Sequence, residues 1–414
     1  MGKIRFRYVT GRSKDLVIFA PGSGHQFDPL NYEMTRAGPG AGDTENIVDL
    51  LFHILEASGK QSGHNREEPF WTHSLKQLIR NAVDLVYAAR GAIGFQAIKD
   101  VITSAPQSRE EARSKTWQEE SFCHRLTLEG EKKPRSEAAQ RDYDESADYW
   151  LETFPALSEK TRSIIVVMFL SMADYFLRGK LYSLFCKGTT IRPEDTENGK
   201  IIILDLPIKE YNDRGRFAQL IFKLCWMRAI ERRNTAISPR PVFLWQDEAQ
   251  NFCLGSGLDA QFQATARSSR ACVVSLFQNL PVLFDAYGKT ESGKWQAMAL
   301  LGNLQTKIFH ANMDVETNQW AADLIGKNWQ AKVSTSLNAA PMDPMAALTG
   351  ATPQGHSIGT SESLEYEVLP NEFKRLRMGG YRHQGMVDAI LVQSGRQWEH
   401  GKDYLPLTFK QEGF

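Results

Sequence analysis

The sequence predicts an α/β protein with a mostly parallel sheet, helices on both faces of that sheet, and an all-α domain inserted into the chain. Short apolar runs alternate with helical patterns near the start of the chain and again after about residue 190. The stretch KIIILDLPI, residues 200–208, contains an apolar run typical of an interior parallel strand. Residues 66–190 show helical patterns without a convincing strand. Strands that alternate with helices predict parallel pairing.

The first α/β part begins with a short strand. Leu16 to Phe19 form an apolar run that Pro21, Gly22 and Gly24 close. A helix follows, with Asp43 or Thr44 as its N-cap. Its apolar residues at helical spacing are Ile47, Leu50, Leu51, Ile54 and Leu55.

The central block is predicted to be helical. One stripe runs from Trp71 to Val86, and Ile98, Val101 and Ile102 indicate a short helix. The polar residues 128–150 are predicted to be an exposed linker. Ser158 is the expected N-cap of a long helix through residues 164–177. That run contains Asp174 and is shorter than the roughly 20 residues of a membrane span, so a buried helix is the better interpretation.

The last part returns to alternating strands and helices. The segment RGRFAQLIFKLCWMRAIERR predicts a helix with Phe217, Leu220, Ile221, Leu224 and Ile230 on its inner side. Further strands are predicted at Val242–Trp245, ACVVSLFQ, QTKIFHAN and MVDAILVQSG, and further helices at Ala260–Ala266 and ETNQWAADLIG. Residues 330–364, rich in Ser, Thr, Ala and Gly, are predicted to form a mobile loop. The predicted domains are residues 1–65 and 191–414 for the two α/β parts, and 66–190 for the all-α domain.

Composition sets wide limits on function. The 414 residues contain 49 Lys+Arg and 49 Asp+Glu, and a net charge of zero neither suggests nor excludes a nucleic-acid partner. An odd number of cysteines, five, without a CxxC pair argues against a disulfide framework or a zinc site, and favours buried free thiols. The first residues, MGKIRFRYVTG, contain no signal-peptide core, so we expect a cytosolic chain.

A phosphate-binding loop of the form G-x-x-x-x-G-K-[ST] is not evident. The nearest string, GKTESGKW at residues 288–295, has Trp295 where a hydroxyl must bind Mg²⁺, and it follows a helical pattern instead of a strand. We therefore expect a surface loop there. The glycine-rich strings at residues 22–25 and 38–44 contain no lysine.

The strand VFLWQ ends in adjacent carboxylates, Asp247 and Glu248. Ligands bind at the carboxyl edge of open α/β sheets. Asp247 could hold Mg²⁺ through water and Glu248 could polarise an attacking water. A solvated strand end is the alternative interpretation.

Two further polar residues flank the next predicted strand. Arg267, with Arg270, precedes ACVVS and could act as an arginine finger toward an adjacent subunit. Gln278 follows the strand and could sense a γ-phosphate or orient water. Taken alone, an exposed arginine such as Arg267 is more often simply solvated. A glutamine that follows a strand, such as Gln278, is often a capping residue.

Four segments together resemble the conjugative coupling proteins of type IV secretion systems, the TraG/TraD group. They are VFLWQDEAQ, ATARSSRACVVSLFQNL, LGNLQTKIFHANMDVETNQWAADLIGK and VLPNEFKRLRMGG, in that order and spacing. LVIFAPGSGHQFDPLNYE also fits, through the family's F/Y-[ND]-P-L element. The helical block matches the all-α domain that these proteins insert into a RecA-like motor domain.

The resemblance implies a hexameric, DNA-translocating ATPase that uses ATP and Mg²⁺ and hands a relaxase–DNA complex to the secretion channel. By motif, Asp247 and Glu248 match the Walker B pair, Arg267 the candidate arginine finger, and Gln278 the glutamine after the next strand. The implied partners are non-specifically bound single- or double-stranded DNA, the relaxosome and channel proteins. The implied location is the cytoplasm, or the cytoplasmic face of the bacterial inner membrane through partners.

We expect the family's phosphate loop and N-terminal membrane helices to lie outside this sequence. The chain would then be a fragment or split-gene product of a full ATPase, or a protein that has lost nucleotide hydrolysis. The alternative function is a non-catalytic adaptor that binds relaxosome or effector proteins through the all-α domain. An α/β-hydrolase is disfavoured because no G-x-S-x-G elbow is present. Lys76, Arg80, Arg232 and Arg233 are basic, but solvated helix faces explain them better than DNA contacts do.

Overall fold

The structure is a computed structural model that describes residues 11–58, 68–255, 257–339 and 354–412. The chain divides into two compact units. The first contains residues 1–277 and 284–301, and the second contains residues 278–283 and 302–414. The predicted boundary between residues 65 and 66 lies outside the described residues.

The helices and strands of the described residues are numbered in chain order. The helices are α1 (Pro29–Thr35), α2 (Thr44–Ser58), α3 (Glu68–Arg90), α4 (Phe95–Thr103), α5 (Arg109–Ala112), α6 (Lys115–Glu120), α7 (Phe122–Glu131), α8 (Glu137–Asp148), α9 (Phe154–Ala156), α10 (Glu159–Leu177), α11 (Gly179–Phe185), α12 (Ile208–Arg232), α13 (Leu258–Thr265), α14 (Leu280–Tyr287), α15 (Glu291–Asn303) and α16 (Val315–Ile325). The strands are β1 (Leu16–Phe19), β2 (Ile201–Leu204), β3 (Val242–Gln246), β4 (Ala271–Ser275), β5 (Thr306–His310), β6 (Lys327–Ala339), β7 (Gln354–Tyr366), β8 (Met386–Gln393) and β9 (Tyr404–Lys410).

Strands β1 and β2 pair in parallel in the first unit, with Leu16 opposite Ile201 and Phe19 opposite Leu204. Phe19 is buried and meets Phe185 edge to face, with the ring centroids 5.5 Å apart. The predicted strands on either side of the helical block therefore lie side by side. A single apolar core includes residues from these strands and from the helices between them.

The FDPL element, residues 27–30, forms the start of α1. The buried Asp28 carboxylate is the N-cap and accepts hydrogen bonds from the backbone N–H groups of Leu30 and Asn31, each at 3.1 Å. Pro29 occupies the first helical turn, where its missing N–H costs nothing. Burial raises the pKa of Asp28. In this structure the motif stabilises a helix start.

Among the described residues between β1 and β2, the regular elements are helices joined by loops, as predicted. Ser158 caps α10 by accepting a hydrogen bond from Thr161 N at 3.2 Å. Residues 128–150, however, are not a linker: most of them lie in α7 and α8. One side of α8 is buried, where the Tyr143 hydroxyl donates to Thr127 O at 2.7 Å and Ser146 Oγ to Asn81 O at 2.9 Å. Helix α8 contains few apolar residues because polar side chains make these buried contacts. Its sequence pattern therefore does not predict a buried helix face.

The cysteines of the described residues are free thiols, but not all are buried. Cys123 and Cys225 are buried, Cys186 and Cys253 are partly buried, and Cys272 on β4 is exposed. Burial raises the pKa of Cys253 to about 12. The prediction of buried thiols is therefore wrong for Cys272. Among the helices described, none has the length and apolar character required to cross a bilayer.

The second unit contains an antiparallel sheet with the strand order β5-β8-β9. Phe309 of β5 lies opposite Ile390 of β8, and both are buried in a small core with residues of α16. Strand β9 was not predicted from the sequence. Helix α16 ends as predicted at Gly326, whose N–H donates to Ala322 O at 2.9 Å.

Strands β6 and β7 form a long antiparallel hairpin, with Lys327 opposite Tyr366 and Ala339 opposite Gln354. The mobile loop predicted for residues 330–364 is therefore wrong for the residues described. The rest of that prediction, residues 340–353, lies outside them. Trp329, Val333 and Leu364 alternate with polar residues, as in a strand with one apolar face. The many Ser, Thr and Gly residues of this segment make the alternation difficult to recognise in the sequence.

A pH-dependent contribution to stability is expected where α2 meets α3. Thr44 Oγ1 donates to Asp84 Oδ1 at 2.5 Å, and burial raises the pKa of Asp84 to about 6. The folded protein thus holds a proton that the unfolded chain releases near pH 4. The contribution of Asp84 therefore falls as the pH rises from about 4 to about 6.

We expect Asp84→Asn to remove this dependence. The free energy of unfolding of the unchanged protein should fall relative to the variant by up to about 3 kcal/mol between pH 4 and 7. Urea unfolding at several pH values measures this difference, with the exposed Asp144→Asn as the control. Parallel pH profiles for the unchanged protein and Asp84→Asn would contradict the expectation.

Candidate functional site

The predicted carboxylate pair follows a strand with a parallel neighbour. Strands β3 and β4 pair in register from Val242 opposite Ala271 to Gln246 opposite Ser275. Their carboxyl ends thus lie at one edge, which is the edge where ligands bind in open α/β sheets. Asp247 and Glu248 come directly after Gln246 and are both exposed.

The two faces of the β3 strand differ in exposure. Val242 is buried and Leu244 packs against the core of the first unit. The alternate residues Phe243 and Trp245 are 56% and 67% exposed. Because successive side chains of a strand point to opposite faces, the outer face of β3 is apolar and open to solvent.

The turn that carries Glu248 is sharply bent. Glu248 has φ 53° and ψ 50°, a left-handed conformation that is uncommon for a residue with a side chain. The bend lets Ala249 N–H donate to Leu276 O at 2.8 Å, while Leu276 N–H donates to Gln246 O at 2.9 Å. These two bonds fix the turn to the end of β4. The Gln250 side-chain amide donates to the Glu248 carboxylate.

Behind the turn lies a buried polar network. Lys223 of α12 forms an ion pair with Asp259 of α13, with Nζ and Oδ1 2.7 Å apart, and donates to Phe252 O at 2.6 Å. The other Asp259 oxygen accepts from Leu254 N–H and from the Tyr287 hydroxyl, each at 2.8 Å. Burial first, and then the Asp259 carboxylate, raise the pKa of Tyr287 well above its ordinary value. The network holds the segment after Glu248 against α12, α13 and α14.

This network was not found from the sequence. The one available signal was Lys223 itself, a charged residue among the apolar positions Leu220, Ile221 and Leu224 of a helix. A buried lysine requires a nearby partner. Nothing in the sequence indicates that Asp259 is that partner.

The structure does not bring all the predicted site residues together. Arg267 is exposed and lies before the amino end of β4, whereas Asp247 follows the carboxyl end of β3. The strand of five residues separates these ends by about 16 Å. Arg267 therefore does not join Asp247 and Glu248 within one chain. Arg270, at φ 49°, donates from Nη1 to Pro239 O at 2.7 Å.

Gln278 follows the carboxyl end of β4 along the chain and belongs to the second unit. Its side chain is exposed, and its backbone carbonyl accepts a hydrogen bond from Asn312 Nδ2 at 2.8 Å. The contact places Gln278 beside the loop after β5. Its predicted role toward a phosphate stays a prediction.

The candidate phosphate loops have the wrong surroundings. GKTESGKW joins α14 to α15, so a helix precedes it, as expected, and Gly293, Lys294 and Trp295 lie inside α15. The expected surface loop is thus a junction between two helices. Lys294 Nζ lies 5.2 Å from the centre of the Phe284 ring. The glycines at positions 38–42 connect α1 to α2, again without a preceding strand.

The fit to Mg²⁺ and a nucleotide is therefore partial. Magnesium in such sites takes one or two carboxylates together with substrate phosphates, and Asp247 suits one of those positions. Within residues 11–58, 68–255, 257–339 and 354–412, no cluster of three or more acidic, His or Cys side chains could hold a metal alone. No glycine-rich loop with a following Lys and hydroxyl lies between a strand and a helix in the same ranges.

The four basic residues considered for DNA have partners inside the protein. Lys76 pairs with Asp49 at 2.8 Å, Arg80 pairs with Glu45, and Arg232 pairs with Glu33 at 3.1 Å. Arg233 donates to the carbonyls of Ser269 and Arg240. These contacts favour structural roles.

Comparisons with known proteins agree with this geometry. Residues 241–369 match the family described as "TraM recognition site of TraD and TraG". The chain is similar to the bacterial conjugative coupling protein TrwBdeltaN70 in its unbound monoclinic form, with a TM-score of 0.56 and 13% sequence identity over 96% of this chain and 74% of that chain. Its trigonal form in complex with sulphate gives a TM-score of 0.55 at 13% identity, over 98% and 76%. Plasmid coupling protein TrwB in complex with the non-hydrolysable GTP analogue GDPNP gives 0.55 at 13% identity, over 95% and 73%. No curated protein matches the sequence.

The chain therefore shares the RecA-like α/β fold of these proteins together with a helical block between β1 and β2, as predicted, and its parallel strands form two small sheets, β1-β2 and β3-β4. The match at residues 241–369, together with this shared fold, confirms the predicted resemblance to the TraG/TraD-like coupling protein family. The matched residues include β3, β4 and the carboxylate pair.

We expect Lys223→Met to destabilise the protein by about 3–5 kcal/mol, because it leaves the buried Asp259 carboxylate without its counter-ion. Urea unfolding followed by circular dichroism measures the change. Lys289→Met is the matched control, since Lys289 pairs with Asp285 at the surface and its loss should cost less than about 1 kcal/mol. Equal effects of the two substitutions would show that the buried pair does not stabilise the turn after Glu248.

Proposed function

We propose that this chain is a subunit of a coupling-protein-like machine for conjugative DNA transfer through a type IV secretion system. The observation that carries the proposal is the placement of Asp247 and Glu248 at the carboxyl end of a parallel strand, in a fold shared with conjugative coupling proteins. The proposed domains are residues 1–65, 66–190 and 191–414. The homo-hexamer is proposed for the full-length family, and the proposed location is the cytoplasm, or the cytoplasmic face of the inner membrane through partners.

The proposed roles follow from chemistry and position. Bound Mg²⁺ would neutralise charge on the nucleotide phosphates, and Asp247 would hold it through water. Glu248 would accept a proton from the attacking water, with the sharp turn after β3 presenting its carboxylate. Arg267, at the opposite end of β4, would act toward a neighbouring subunit. Gln278 would respond to the γ-phosphate. Solved TrwB structures in complex with a GTP analogue and with an ATP analogue support a nucleoside triphosphate as the ligand class, and we propose ATP.

The proposed partners are DNA, the relaxosome and proteins of the secretion channel. The name of the family that matches residues 241–369 supports recognition of a relaxosome component. DNA would be bound without sequence preference through its phosphates, so its affinity should fall steeply with salt.

The purified chain alone is expected not to hydrolyse ATP at a steady rate, because its described residues provide no phosphate loop. A coupled ATPase assay, with and without DNA, should give the same background for the unchanged protein and for Glu248→Gln. Steady hydrolysis that Glu248→Gln abolishes would contradict this expectation and show another phosphate-binding element.

A mating assay distinguishes the motor from an adaptor. In donor cells that depend on this chain, and in which a second polypeptide supplies the phosphate loop of a split motor, we expect Glu248→Gln to lower DNA transfer by roughly 100-fold, the scale of a lost general base. Glu372→Gln, an exposed carboxylate of the second unit, is the control. Normal transfer by Glu248→Gln would mean that the carboxylate does no chemistry in the assembled machine.

That last result would favour the second candidate, a non-catalytic adaptor that binds relaxosome or effector proteins. The partial fit to Mg²⁺ and phosphates is the observation in its favour. The adaptor hypothesis assigns the binding surface to the all-α domain, whereas the family match named for recognition lies at residues 241–369. Deleting the chain should abolish transfer under either hypothesis, so the deletion does not separate them.

A further inference from the structure

A short basic segment of the second unit stands out by its charge. The basic turn, defined here as residues 374–385, connects Phe373 to β8. It contains Lys374, Arg375, Arg377 and Arg382 and no acidic residue. Arg377 is neutralised by Asp388, with bonds of 2.8 Å from Nε and 2.7 Å from Nη2. The other three cations are exposed and form no ion pair with any residue that the structure describes.

Two large side chains of the basic turn, one aromatic and one apolar, are exposed. Tyr381 is 90% exposed and Met378 is 69% exposed. An aromatic ring that is almost wholly in water contributes little to folding, since burial is what makes apolar surface stabilising. An exposed aromatic ring within a basic segment is the combination that single-stranded nucleic-acid sites use.

The basic turn is held in one shape by the strands beneath it. Gly379 and Gly380 have φ 80° and 70°, a conformation that glycine adopts without strain. Gly379 N–H donates to Met386 O at 2.9 Å, and Gly380 N–H donates to Gln411 Oε1 at 2.8 Å. Met378 N–H donates to His383 Nδ1 at 3.0 Å. Tyr381 is thus presented by an ordered turn, which lowers the entropy cost of binding.

We propose that the basic turn binds single-stranded nucleic acid, with a base stacked on Tyr381 and the phosphates contacted by Lys374, Arg375 and Arg382. Three exposed cations complement a phosphate backbone, and an exposed tyrosine ring stacks with any base regardless of sequence. The bases of a duplex are already stacked on one another. A duplex would therefore contact the three cations through its phosphates but would not stack a base on Tyr381. The proposal rests on the proposed function, in which the chain binds DNA. It assigns one of the contacts with DNA to the basic turn.

The test is fluorescence anisotropy with a labelled oligothymidine and, separately, a labelled duplex, using the whole chain. Tyr381→Ala should weaken oligothymidine binding by roughly 5- to 150-fold, the range for one lost base–aromatic stack. Tyr381→Phe keeps the ring and should bind like the unchanged protein. Duplex binding should change little with either substitution.

The cations are tested through the salt dependence. Arg382→Ala should lower the slope of log affinity against log salt by about 0.7, the value for one phosphate contact on a single strand. Arg396→Ala is the matched control, because Arg396 lies beyond the opposite end of β8 and stacks on Trp398 at 4.1 Å. Its slope should equal that of the unchanged protein.

The outcomes separate this inference from the proposed function. If the unchanged protein binds oligothymidine and the variants of the basic turn bind equally well, the inference is wrong and the proposed function stands. The inference is also wrong if Tyr381→Phe loses as much affinity as Tyr381→Ala, or if Arg396→Ala changes the slope as Arg382→Ala does. If the unchanged protein binds neither probe at low salt, the DNA-binding part of the proposed function fails as well. Thermal unfolding of each variant verifies that the exposed substitutions leave the fold intact.

Discussion

The ion pair between Lys223 and Asp259 joins the parts of the first unit on which the candidate site depends. Lys223 also binds the carbonyl of Phe252, and Asp259 also binds Leu254 N–H and the Tyr287 hydroxyl. One buried pair thus connects α12, α13 and α14 to the segment that follows Glu248. Charges this deep are costly unless every oxygen and proton has a partner, and here the partners include backbone groups of that segment. The position of the carboxylate pair is therefore tied to the packing of three helices.

The regular elements could be predicted where their local pattern was strong. The apolar run of β2, the strand VFLWQ and the Ser158 cap each need only neighbouring residues, and the structure has all three. The α/β fold class was predicted from the order in which strands and helices alternate along the chain. The carboxyl edge at Asp247 followed from parallel pairing, since β4 lies beside β3 in register.

The failures share a physical cause. Helix α8 is buried through Tyr143 and Ser146, whose polar groups bond to distant carbonyls that the sequence does not specify. The β6–β7 hairpin depends on pairing between strands separated by many residues, and small polar residues hid its alternation. Non-local contacts decided each of these cases.

The backbone at Glu248 has a consequence for how this position is occupied. A glycine would adopt φ 53° without steric strain, whereas a residue with a β-carbon gives up on the order of 1 kcal/mol there. Residues held in this region are concentrated at functional sites. The strained backbone at Glu248 therefore supports the role proposed for its carboxylate, at a cost in stability that a glycine at this position would not have.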